Sequence, residues 1–162
     1  MLLFGIVMTT LGAILPDVIE RYGVGAANAG TLLAIMSIGM LGGSILFGPI
    51  VDRYGYKGML FGSTALIMIG LEGLAFSPSF TWLRAAAFLI GLGGGAINGG
   101  TNALVADISE DEKSSGLSYL GIFFGVGAFG IPFAMSTLEA IMSPLTIVAV
   151  VDGLCLLPLI YF

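Results

Sequence analysis

Histidine is absent from this chain, and cysteine occurs once, at Cys155. Without histidine, zinc sites and His-based catalytic triads lose their usual parts. A single cysteine closes no intrachain disulfide and says nothing of redox compartment. Charge is scarce as well: five Lys or Arg and ten Asp or Glu make up 9% of 162 residues, where a soluble domain carries about a quarter. The ten acids are spread over several loops and form no acidic tail, and no basic patch exists, so nucleic acid is not an expected partner. No nucleophile–base pair and no set of metal ligands is visible, so neither an enzyme, a cofactor nor a metal site is expected.

What the chain does have is apolar length. It is 57% hydrophobic with a mean hydropathy of +1.09, too little polar material to cover a water-soluble domain. These values point to a polytopic, all-α membrane protein embedded in a lipid bilayer. A helix needs about 20 apolar residues to cross a bilayer, and six such runs are expected, near 2–21, 28–51, 57–76, 81–107, 114–138 and 144–161. RYGVGAAN, DRYGYK, SPSF, SEDEK and EAIMSP separate them with charge, Gly, Pro or Ser. The loops are short, so neighbouring spans run antiparallel within one bundle covering 1–162, and six spans place both termini on one side. With the loop at 52–57 in the cytoplasm, Arg53, Lys57 and Lys113 lie inside, and Arg21 and Arg84 outside. That is a thin positive-inside bias toward cytoplasmic termini in a cell membrane. The first run has no charged segment before it and is followed by further spans, which argues against a cleaved signal peptide.

Glycine is abundant, 26 of 162 residues, which would burden water-soluble helices but in lipid lets backbones approach closely. Gly39 and Gly43, then Gly91, Gly95 and Gly99, then Gly121 and Gly125 recur at intervals of four. GMLGGSILFGP and GIFFGVGAFGIP place Gly and Pro alike, and GAILPD and NALVAD end the preceding runs alike. Two three-helix inverted repeats fit this pattern, and chance recurrence in a Gly-rich chain fits it too.

GPIVDRYGYKG, residues 48–58, gathers an Asp, an Arg, a Lys and a Pro between two apolar runs. An ordinary interfacial loop is one reading. The order of residues is more specific: it resembles the signature loop of the major facilitator superfamily, G-x-x-x-D-R-x-G-R-[RK], between that family's second and third helices. Gly48, Asp52, Arg53, Gly55 and Lys57 match, and Tyr56 stands where the pattern usually has Arg. The resemblance implies the N-terminal six-helix half of a twelve-helix transporter, with a second six-helix half in the same chain or another subunit. It also implies a gate latch. Asp52 would accept from a helix N-terminus of the other half, Gly48 would allow close approach, and Arg53 and Lys57 would pair with acids such as Asp107.

Polar side chains at membrane depth usually face a cavity or another helix. Asn98 and Asn102 share one face of the fourth span, with Thr101 beside them; Thr9 and Thr10 lie in the first, and Tyr119, Phe123 and Phe124 form an aromatic strip on the fifth. These residues are the candidate site for a small polar solute, with interhelical hydrogen bonding as the structural alternative. Amides suit hydroxyl-rich solutes such as sugars, and aromatic faces would stack on a sugar ring. GLGGGAINGGTNALVAD and YLGIFFGVGAFGIPF resemble the fourth and fifth helices of sugar permeases of the fucose–proton symporter type. That type's two acids correspond to Gly12 and Asn98 here, which puts proton coupling by that route in doubt. Glu72 lies within reach of the interface, Arg84 reads as an interfacial anchor, and Asp152 sits mid-span in the sixth run. The expected function is solute transport by alternating access. A drug– or metabolite–proton antiporter is the alternative within the class, although GIPFAM replaces the antiporters' usual G-P-x-x-G-G. A non-transporting sensor or assembly module is the alternative outside it.

Overall fold

In hydrocarbon every backbone N–H and C=O must find a partner within the protein, and a helix supplies all of them along one segment. The computed structural model describes residues 1–108 and 113–138, with Val150 and Gly153. These form α1 (Leu2–Ala13), α2 (Leu15–Tyr22), α3 (Ala26–Ala75), α4 (Phe80–Ile108) and α5 (Lys113–Leu138), and no strand occurs among the described residues. Asp152, Cys155 and the rest of the expected sixth span lie outside the described residues, as do the acids of SEDEK.

Together α1 and α2 make one apolar passage of 21 residues, bent at Ile14 (φ −86°, ψ 0°). Pro16 explains the bend, since its ring has no N–H to offer the carbonyl four residues back. The passage ends at Gly23, which takes the left-handed conformation (φ 60°) common after a helix C-terminus.

Although helical over 50 residues, α3 is not one straight rod. That length would reach about 75 Å, far beyond a hydrocarbon core of about 30 Å. Gly55 breaks it at φ 72°, ψ 172°, a region closed to residues with a Cβ. The contacts on either side run in opposite senses. Met36, Met40 and Gly43 meet Gly91, Gly95 and Ala96 in ascending order, while Met59, Ile67 and Gly70 meet Gly100, Gly93 and Ile90 in descending order. The arms 26–54 and 56–75 therefore form a hairpin, and both lie on α4.

The central helix is α4, and its glycines show why. A Cβ at Gly91 or Gly95 would overlap the carbonyl oxygens of Met36 and Met40; one at Gly93 would reach Ser63 O at 2.5 Å; one at Gly94 would meet Met8 at 2.5 Å. The run GLGGGA thus has neighbours on three sides, two arms of α3 and α1. In turn α1 crosses α5 closely, with Gly5 against the Phe124 carbonyl and Gly127 against that of Leu2; the Phe4 and Phe124 rings tilt together at 5.4 Å. Val7, Leu11, Leu32, Leu71 and Ile90 are almost wholly enclosed. By contrast Ile38, Leu41, Ile45 and Phe129 are more than half exposed, an outer apolar surface that suits lipid and not water. Long apolar helices with such a surface make this an integral membrane protein.

At one end of the bundle, Tyr22 Oη donates to the Ser77 carbonyl (2.9 Å) and lies 2.6 Å from Ser77 Oγ. Nearby, the Arg84 guanidinium lies 4.9 Å from the Phe80 ring centre, with Nη2 3.5 Å from Thr31 Oγ1. Arg84 therefore joins the starts of α3 and α4. The hairpin turn at Gly55 lies at the opposite end, beside the close of α4.

Candidate functional site

Gly91, Gly95, Asn98 and Asn102 follow one another at spacings of four, three and four, so they share a face of α4. Where that face carries glycine it is covered by α3; at Asn98 and Asn102 it borders a cavity of about 470 Å³. Met1, Phe4 and Met8 of the first passage line the cavity, with Met40 of α3 and Leu117, Leu120, Gly121 and Phe124 of α5. None of these described lining residues has a charged side chain. Asn102 Nδ2 donates to the Asn98 carbonyl (2.8 Å) and to Asn98 Oδ1 (3.1 Å). The two amides thus hold each other in place and act as one polar unit on a wall otherwise made of thioethers, aromatic rings and aliphatic groups.

The remaining residues expected from sequence are placed differently. Thr101 Oγ1 donates to the Ile97 carbonyl of its own helix at 2.5 Å and lies 3.6 Å from Met1 Sδ, next to the cavity but not on its lining. Thr10, buried, donates to the Ile6 carbonyl at 2.8 Å, and Thr9 lies 3.0 Å from the Gly5 carbonyl; both hydroxyls serve the backbone one turn back. Tyr119 and Phe123 are 61% and 53% exposed on the outer side of α5. The cavity side of that helix is Leu117, Leu120, Gly121 and Phe124, a three-and-four spacing visible in the sequence once the facing direction is known. Met1, Phe4, Met8 and Met40 carry no polar signal that would mark them.

At the hairpin turn, Asp52, Arg53 and Lys57 are exposed, and a Cβ on Gly48 would meet no described residue within 4 Å. The Arg53 guanidinium lies 5.4 Å from the Tyr54 ring centre. Asp107, at the close of α4, accepts a 2.5 Å hydrogen bond from Tyr56 Oη. That bond raises the Tyr56 phenol above its ordinary value, and the negative charges of Asp107 and Asp52 push the same way. The residue that departs from the signature pattern thus ties the turn to α4.

Comparison with known proteins agrees with this architecture. The chain is 32% identical over 113 residues to the 4-hydroxybenzoate transporter PcaK of Pseudomonas aeruginosa, covering 68% of this chain and 25% of that protein. It is 31% identical over 123 residues to the niacin transporter NiaP of Acinetobacter baylyi, covering 75% and 26%. It is 30% identical over 158 residues to the class C tetracycline resistance protein of Escherichia coli, covering 94% and 39%. The chain thus spans about a quarter to two fifths of the length of these relatives. The profile of the Major Facilitator Superfamily matches residues 1–162, and the chain belongs to that superfamily of transporters, which are not enzymes.

Proposed function

We propose that this chain is the N-terminal, six-helix half of a twelve-helix transporter that moves a small polar solute by alternating access. In this reading both termini are cytoplasmic and a second six-helix half completes the solute path. The observation that carries it is the cavity beside α4, where the Asn98–Asn102 pair is the only polar lining among the described residues. Relatives named for 4-hydroxybenzoate, niacin, D-xylose and tetracycline fit a solute path of this kind and leave the solute open, with sugars one candidate class. Thr101 supports the pair from behind, and Thr9, Thr10, Tyr119 and Phe123 enter the solute path only through movement of α1 and α5. Asp52, with Gly48, Arg53, Gly55, Lys57 and Asp107, forms the cytoplasmic latch toward the second half.

The test is a paired measurement on Asn98→Ala and Asn102→Ala. Losing one partner should weaken solute binding by about 1–3 kcal/mol, while the melting temperature changes little, because a cavity amide is wetted in the empty protein. If both variants transport with unchanged affinity and are destabilised, the amides are interhelical struts and the site assignment fails. For the latch, Asp52→Asn should shift the balance of inward and outward states, read by labelling from each side of the membrane; unchanged labelling and transport would remove that role.

A further inference from the structure

The chemistry of the cavity wall narrows the choice of solute, and this narrowing rests on the cavity being the solute site. Asn102 Nδ2 and Asn98 Oδ1 are engaged with one another. The groups left to face a solute are the Asn98 Nδ2 donors and the Asn102 Oδ1 acceptor, one helical turn apart on one face. Around them stand the thioethers of Met1, Met8 and Met40 and the tilted pair Phe4–Phe124. Thioether sulfur and ring edges both favour aromatic solutes. The volume of about 470 Å³ falls within the range of about 300–1,000 Å³ typical of small-molecule sites.

Two solute classes fit this wall poorly. A sugar brings several hydroxyls, and each one desolvated against Met, Leu or Phe without a partner weakens binding about tenfold or more. A carboxylate would be buried where no described lining side chain carries a positive charge. An aromatic carboxamide meets both free groups at once: its carbonyl accepts from Asn98 Nδ2, its N–H donates to Asn102 Oδ1, and its ring lies among sulfur and phenyl groups.

We propose that the wall supplied by this chain selects an uncharged aromatic solute bearing a single donor–acceptor group such as a carboxamide. The test uses the full protein in lipid nanodiscs with benzamide, benzoate and D-xylose as probes at neutral pH. Benzamide should bind saturably, and D-xylose and benzoate should not displace it at equal concentration. Asn98→Ala should weaken benzamide about tenfold or more, and so should Asn98→Asp, which keeps the volume but replaces the amide donor with a charged acceptor. Failure of benzamide to bind, or tighter Asn98-dependent binding of D-xylose or benzoate, would overturn the inference. Leu120→Cys in a Cys155→Ser background, reconstituted in sealed vesicles, separates this from the transport reading. Labelling of that cysteine from both membrane faces supports alternating access whatever the solute, and labelling from one face only counts against the transport reading itself.

Discussion

Two stretches of a single face of α4 behave in opposite ways. At Gly91 and Gly95 the face has no side chains, and the Met36 and Met40 carbonyls of α3 occupy the space where they would be. Further along, at Asn98 and Asn102, the face carries amides and borders a cavity. One helix thus serves as a rigid seam along one stretch and as a cavity wall along the next. Glycine and asparagine at the same helical spacing therefore mark different jobs: backbone-to-backbone contact in one case, a polar cavity wall in the other.

The sharpest way to break the comparison is to give the seam a side chain. Gly95→Val places branched carbons into the Met40 carbonyl, and overpacking of this kind costs about 3 kcal/mol or more. Expression and melting temperature in one detergent should both fall steeply, while residual folded protein should keep its solute affinity. The wall should respond in reverse. Asn102→Ala removes the donor that orders Asn98, so affinity should drop by about 1–3 kcal/mol with a much smaller change in melting temperature. A comparable loss in both variants of both properties would erase the distinction.

A smaller effect is expected at the hairpin turn, where Tyr56 donates to Asp107. Tyr56→Phe should lower the melting temperature slightly at neutral pH. The folded-state phenol lies above its unfolded value near 10. Its contribution is therefore fully present below that unfolded value and is lost as pH rises through the raised one. The gap between wild type and Tyr56→Phe should close in that alkaline window; melting curves from neutral to strongly alkaline pH would show it, and a gap constant with pH would contradict the bond. The smallest effect belongs to Gly125→Ala on α5, where a Cβ meets no described residue within 4 Å. Helix propensity alone predicts a gain of up to about 1 kcal/mol, so a loss there would mean that this face is covered in the full protein.

Much of the molecule is legible in its residues alone. Hydrophobic length and scarce charge dictate bilayer-spanning helices, because unpaired backbone cannot sit in hydrocarbon. Gly55 within a charged, Pro-containing stretch marks the reversal between the two arms of α3, since only glycine takes that backbone region freely. The four-residue glycine intervals announce close helix contacts, and the Asn98–Asn102 spacing places both amides together. Which direction each face points was settled only by packing. On α5 the cavity receives Leu117, Leu120, Gly121 and Phe124, while Tyr119 and Phe123 turn outward. The reason is that Gly5 and Gly127 permit one close crossing of α1 and α5, and that crossing fixes the rotation of α5. In a chain apolar on every side, hydrophobicity distinguishes no inner face from an outer one. The hydroxyls of Thr9 and Thr10 turn to their own backbone, and Tyr56 reaches Asp107 across 51 positions of sequence; both depend on local geometry and on the antiparallel return of the chain, which residue type alone does not specify.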